Sequence, residues 1–198
     1  MAGKGQFGEC SIKFEPLPRG KGFEFVDGFK ADPKAFPKNF VAAIETGIKE
    51  ALLGGIQVGY PAVDIRATLV NGVFVEGEST EVAYKIASSL AFKDACSKAT
   101  PIILEPIMAT EVTCPDDYMG GVIGDLNSRR GKISSMAPQH GVQVIKAEVP
   151  LAQMFGYSTA LRSSSQGRAT YAMEFSSYAE VPPQTANEIK IRAGVMSA

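Results

Sequence analysis

Polar and apolar residues alternate strictly from Glu9 to Glu15. Cys10, Ile12 and Phe14 fall on one side, and Glu9, Ser11, Lys13 and Glu15 on the other, the period of a half-buried strand. A basic turn over residues 16–22 leads to a short strand over 23–26. The period then changes. Phe40, Val41, Ile44, Ile48, Ala51 and Leu52 recur at helical spacing after Pro37, and Gly54-Gly55 stops the run. Val63, Ile65, Ala67 and Leu69 predict another strand. Residues 71–78 read as a protruding turn, after which Ser79 or Thr80 caps a long helix reaching Ala99. Val82, Ile86, Leu90 and the alanines of that helix are expected to pack on the sheet.

A second module starts near Glu105-Pro106. A strand over 107–113 precedes a helix with Asp116 and Asp117 in its first turn, Arg129 and Arg130 in its last and Gly131 beyond, charges that match the helix dipole. Strands over 132–137 and 142–149 flank a hairpin turn containing His140. Pro150 opens a helical region interrupted at Gly156 and ended by Gly167. The last strand alternates Ala169, Tyr171, Met173 and Phe175 against Arg168, Thr170, Ala172 and Glu174. The order βαββαβ is that of a ferredoxin-like sandwich, and residues 185–193 add a short helix. The chain therefore reads as α+β in two domains, residues 1–104 and 105–181, with a tail over 182–198.

Composition narrows the function. The 198 residues are 45% hydrophobic, enough to bury a core. Twenty Lys and Arg against 21 Asp and Glu leave a net charge of −1, which excludes a surface that is basic all over but not a local basic patch. No apolar stretch approaches the roughly 20 residues of a membrane span. No signal segment precedes residue 30, so a cytoplasmic protein is expected. Cys10, Cys96 and Cys114 have no paired spacing and read as reduced core thiols. With His140 the only histidine, and in a turn, neither a usual zinc site nor a hydrolytic triad is expected.

Catalytic motifs are absent. Gly3-Lys4-Gly5 and Gly20-Lys21-Gly22 lack the hydroxyl residue and leading strand of a phosphate loop. Asp117-Tyr118-Met119-Gly120 fits the loose D-x-x-G pattern but reads better as a helix start with a small packing residue. Three segments exceed what a scaffold needs. Gly3-Lys4-Gly5-Gln6-Phe7-Gly8 is either a flexible lead-in or a backbone-exposing contact loop. The second, around Val73-Phe74-Val75, carries an apolar tip that packs inward or meets a partner. The third, residues 162–168, combines Arg162 and Arg168 with Ser163, Ser164, Ser165 and Gln166, a helix end or a phosphate seat. Arg129-Arg130-Gly131-Lys132 is equally ambiguous.

Several collinear motifs carry a resemblance. They are Gly5-Gln6-Phe7-Gly8, Gly22-Phe23-Glu24-Phe25, Gly59-Tyr60-Pro61, Leu104-Glu105-Pro106-Ile107-Met108, Gly124-Asp125-Leu126-Asn127, Met154-Phe155-Gly156-Tyr157 and Gln166-Gly167-Arg168-Ala169. Together they resemble the fourth and fifth domains of the translation elongation factor G family, over nearly the whole chain. The resemblance implies an elongated first domain with a left-handed βαβ crossover, ribosomal-protein-like, before the ferredoxin-like one. It also implies a longer parent, a GTPase that uses GTP and Mg in preceding domains and promotes translocation of tRNA and mRNA. This chain itself is expected to bind no cofactor and to hydrolyse nothing.

Its implied partners are the ribosome and the parent's GTPase domains, with no membrane. Gly3, Lys4, Gly5 and Gln6 match the family's first tip loop at the tRNA and mRNA decoding region. Asn71, Gly72, Val73, Phe74, Val75, Glu76 and Gly77 match the second. Arg162, Ser163 and Gln166 match a contact with ribosomal RNA at the large-subunit sarcin–ricin loop. The family usually carries a histidine where Val75 stands, and valine cannot donate a hydrogen bond. That departure raises a divergent paralogue acting in ribosome recycling as an alternative. From a different class, a ferredoxin-like small-molecule-binding module would need an apolar pocket with converging polar groups.

Overall fold

A computed structural model describes residues 6–32, 34–56 and 58–195. The strictly alternating segment forms β1 (Glu9–Pro16), whose antiparallel partner is β3 (Ile65–Val73). The short strand β2 (Phe23–Asp27) pairs with β3 in parallel, which completes a sheet of order β1-β3-β2. Parallel neighbours need a crossover. Helix α1 (Lys38–Gly54) supplies it between β2 and β3. Helix α2 (Glu81–Lys98) follows β3, capped by Thr80, whose hydroxyl accepts the Ala83 N–H at 3.2 Å. Phe40, Ile44, Ile48 and Leu52 of α1, Ala67 and Leu69 of β3, and Tyr84 and Phe92 of α2 form the core, with Cys10, Ile12 and Phe14 packed against it.

The structure corrects two expectations in this unit. Asn71, Gly72 and Val73 are not a protruding turn; they continue β3 opposite Ser11, Cys10 and Glu9. An Asn-Gly pair suggests a hairpin, but β1 offers a partner edge up to Glu9, and the ladder continues past a register shift that leaves Val70 without a partner. The free loop is therefore shorter and begins at Phe74. In α2 the stripe Val82, Ile86 and Leu90 is exposed, while Tyr84, Ser88, Phe92 and Cys96 are buried. Both stripes have helical spacing, and the one with two aromatic rings buries more apolar surface.

The second unit runs β4 (Leu104–Cys114), α3 (Asp116–Ser128), β5 (Lys132–Gln139), β6 (Val142–Pro150), a 3-10 turn (Leu151–Gln153), α4 (Tyr157–Ser164) and β7 (Thr170–Glu180). Its sheet has the order β5-β6-β4-β7 with every pairing antiparallel, as a ferredoxin-like sandwich requires. Val112 and Cys114, Val122 and Leu126, Ile145, Ala147 and Val149, and Tyr157 and Leu161 make the core. His140 (φ 48°) and Gly141 (φ 84°) form the two-residue turn between β5 and β6, both with the positive φ of a type I′ hairpin. Strand β7 runs past its expected end at Phe175, and Met173 and Phe175 stay exposed beyond Tyr171. Gly120 of α3 faces open space rather than a close packing partner. Helix α5 (Pro183–Arg192) groups with the first unit, which comprises Met1–Pro101 and Pro183–Ala198; Ile102–Pro182 is the second.

Close approach of α1 to α2 sets the packing of the first unit. A Cβ on Gly47 would overlap the Lys85 carbonyl and the Ser88 hydroxyl, whereas one on Gly54 meets nothing within 4 Å. Gly47→Ala is expected to cost about 1–3 kcal/mol of unfolding free energy through overpacking. Gly54→Ala should be neutral or stabilise by less than about 1 kcal/mol. Urea midpoints of the two variants check the contrast.

Candidate nucleic-acid interface

Helix α4 ends in a Schellman motif. The Gly167 N–H donates to the Arg162 carbonyl at 2.8 Å and the Gln166 N–H to the Ser163 carbonyl at 3.5 Å. Buried Ser165 anchors the turn. Its hydroxyl donates to the Leu161 carbonyl at 2.6 Å and accepts the Ala169 N–H at 3.1 Å. Arg162, Ser163, Gln166 and Arg168 are thereby held on the surface. Among the described residues neither Arg162 nor Arg168 has an ion-pair partner. Gln166 takes the left-handed position of the motif at φ 52°, where glycine is usual. Arg130 takes the same position after α3, at φ 62°, but is tied internally by an ion pair to Glu105. The Gln166 side chain has no such tie among the described residues, so its strain is not offset from within.

The neighbouring basic cluster is internal by contrast. Arg129 donates to the Asp125 carboxylate at 3.0 Å and the Gln153 carbonyl at 2.6 Å, and lies 5.1 Å from the centroid of the Tyr157 ring. With Arg130 held by Glu105, Lys132 is the one cation of that run without an ion-pair partner among the described residues. Burial raises the Tyr157 hydroxyl well above the ordinary tyrosine range.

At one end of the first unit, loop 74–79 is built on a buried phenol. Tyr84 is fully enclosed among the Phe36 and Phe40 rings, with centroids 5.4 Å and 4.7 Å away. Its hydroxyl donates to the Val73 carbonyl and lies 3.3 Å from the Ser79 hydroxyl, which accepts the Val75 N–H at 3.0 Å. Burial raises the Tyr84 pKa above its ordinary 10, so the hydroxyl remains a donor at neutral pH. Phe74 packs inward against Phe40 at 5.6 Å, and Val75 is half-buried. Glu76 and Gly77 are exposed at the turn.

Gln6, also exposed, enters the same neighbourhood. The adjoining Phe7 N–H donates to the Glu78 carbonyl at 3.0 Å, and a Cβ on Gly8 would lie 2.6 Å from the Ala83 backbone. Gly3, Lys4 and Gly5 lie outside the described residues. The structure thus brings Gln6 beside residues 73–79, while Arg162, Ser163 and Gln166 form a separate site on the second unit. Sequence reasoning missed Tyr84 and Ser79 as the fasteners of the loop. The only signal was a tyrosine on the aromatic stripe of a helix that opens directly after the loop.

An open apolar hollow of about 410 Å³ adjoins Phe23, Lys49, Leu52, Leu53 and Ala62. Lys49 is its one charged group and is paired with Glu45, so no polar groups converge there as a small-molecule site requires. Asp117–Gly120 lies in the first turns of α3. No group of metal-ligating side chains occurs among the described residues, and no helix there is long and apolar enough to cross a membrane.

Residues 1–100 match the family described as elongation factor G, domain IV, and residues 102–189 match the elongation factor G C-terminus. The chain belongs to the elongation factor G family. It is 54% identical over 187 residues to elongation factor G of Aquifex pyrophilus, covering 94% of this chain and 26% of that protein. A crystal structure from Thermus thermophilus aligns with a TM-score of 0.87 at 38% identity, over 100% of this chain and 29% of that one. The chain thus spans about a quarter of the length of its elongation factor G relative. The two-domain α+β fold agrees with that membership, and the comparisons favour neither the recycling nor the small-molecule alternative.

Two substitutions test the local geometry. Tyr84→Phe keeps the ring but strands the Val73 carbonyl, and should lower stability by about 1–3 kcal/mol while speeding hydrogen exchange at Val75. Gln166→Gly relieves the left-handed strain and should raise stability by about 1 kcal/mol. Denaturant unfolding with amide exchange measures both.

Proposed function

We propose that the chain is the ribosome-contacting part of a translational GTPase that moves tRNA and mRNA, with GTP and Mg bound by domains preceding this sequence. The observation that carries the reading is the Arg162–Arg168 turn. Among the described residues its two guanidinium groups have no ion-pair partner, and strained Gln166 stands on a backbone fixed by buried Ser165. Arginine forks and uncharged polar side chains are the donors that seat RNA phosphates and sugars. Arg162, Ser163 and Gln166 would meet large-subunit ribosomal RNA at the sarcin–ricin loop. Residues 3–6 and 71–77 would enter the decoding region, where the exposed positions Gln6, Asn71, Glu76 and Gly77 are available for contact.

The mechanism is mechanical. A loop already fastened to its core does not have to be ordered on contact, so the free energy of docking is not spent on loop entropy. A stiff loop beside a displaced tRNA blocks its return, while nucleotide hydrolysis elsewhere times the step. In this reading hydrolysis belongs to the preceding domains, and a cytoplasmic location follows from the partner.

Arg162→Ala combined with Gln166→Ala in the full-length gene product should weaken ribosome binding about ten-fold or more and flatten its salt dependence. Arg129→Lys, which alters an internal tie, should leave binding within about two-fold. Co-sedimentation at two salt concentrations checks both, and equal binding by wild type and the double variant contradicts the assignment.

A further inference from the structure

A third segment reaches the same end of the first unit as loop 74–79. After β2, the Gly28 N–H donates to the Leu69 carbonyl at 3.0 Å, the Phe36 N–H donates to the Asp32 carbonyl at 2.9 Å, and α1 begins at Lys38. The turn is nailed to the loop's foundation by aromatic rings. Phe29 meets Phe36 edge-on at 5.7 Å, Phe36 meets Tyr84 at 5.4 Å, and a Cβ on Gly72 would lie 2.6 Å from the Phe36 ring. At the start of α1, Phe40 packs on Phe74, and Asn39 donates to the Glu81 carboxylate at 2.8 Å.

With its rings inside, this segment turns Lys30, Lys34 and Lys38 outward, all three exposed. None has an ion-pair partner among the described residues. The carboxylates nearest in sequence are engaged with backbone: Asp27 accepts the Lys30 N–H at 3.2 Å and Asp32 the Lys34 N–H at 2.8 Å. Lys30 itself sits at φ 44°, a conformation that lysine rarely adopts. Glu9, Glu76 and Glu78, also exposed, lie on β1 and on the loop after β3, and β3 separates β1 from β2 in the sheet.

We propose that residues 28–32 and 34–38 carry a third RNA contact, in which Lys30, Lys34 and Lys38 grip backbone phosphates beside the nucleotides approached by residues 71–77. The inference rests on the ribosomal reading above. Lysine ammonium groups on a loop hold phosphates as point charges, without base selectivity. The loop then contributes grip and register, and the neighbouring residues contribute shape.

The test replaces Lys30, Lys34 and Lys38 together with glutamine in the full-length gene product. Lys93→Gln, at an exposed lysine within α2 that has no ion-pair partner among the described residues, serves as the reference. Single-round movement of tRNA and mRNA should slow about ten-fold, with a shallower dependence on salt, while ribosome-stimulated GTP hydrolysis stays unchanged. The corresponding triple arginine variant should move tRNA within about two-fold of wild type. A triple glutamine variant indistinguishable from Lys93→Gln overturns the proposal while the wild type still works. A wild type that neither binds ribosomes nor moves tRNA overturns the ribosomal reading instead, and this loop with it.

Discussion

A single buried phenol is the constraint on which one end of the first unit depends. Tyr84 has no exposure, and the Val73 carbonyl at the end of β3 satisfies its buried hydroxyl. Phe36 and Phe40 enclose the ring, and through them Phe29 and the start of α1 are tied to the same point. Ser79 extends the tie to Val75 across the loop. Three stretches distant in sequence are therefore immobilised by one side chain, and each presents polar groups whose direction is set before any partner arrives.

The second unit fixes its surface groups by different means. There the fastener is Ser165, a small buried hydroxyl that links α4 to the chain entering β7. Around it the Schellman turn exposes guanidinium and amide groups at a helix end, with no carboxylate among the described residues to neutralise them. A net charge of −1 over the whole chain is compatible with the proposed RNA contact, which calls on a few local groups. Acidic surface elsewhere disfavours indiscriminate adhesion to nucleic acid.

Much of this architecture is legible in the sequence. The alternation at Glu9–Glu15, the α1 stripe, the hairpin at His140-Gly141 and the ferredoxin-like order all appear as patterns of period or turn chemistry. The buried face of α2 is not legible, because Val82, Ile86 and Leu90 compete with Tyr84, Ser88 and Phe92 at the same spacing, and only the neighbouring rings decide. Asn71-Gly72 misleads because the turn signal is local, whereas the extent of β3 depends on the length of β1. Arg129 and Arg130 resemble Arg162 and Arg168 as residue types. What separates them is whether Asp125, Glu105 and Tyr157 stand within reach, and sequence spacing does not record that.

Hydroxyl-radical footprinting of ribosomal RNA, with and without the full-length gene product, tests the central claim most directly: that these surfaces recognise RNA by being shaped beforehand. The account predicts two separate protected regions, one at the sarcin–ricin loop and one in the small-subunit decoding region, the first lost on substitution of Arg162. A ribosome bound by the protein with neither region protected would contradict it.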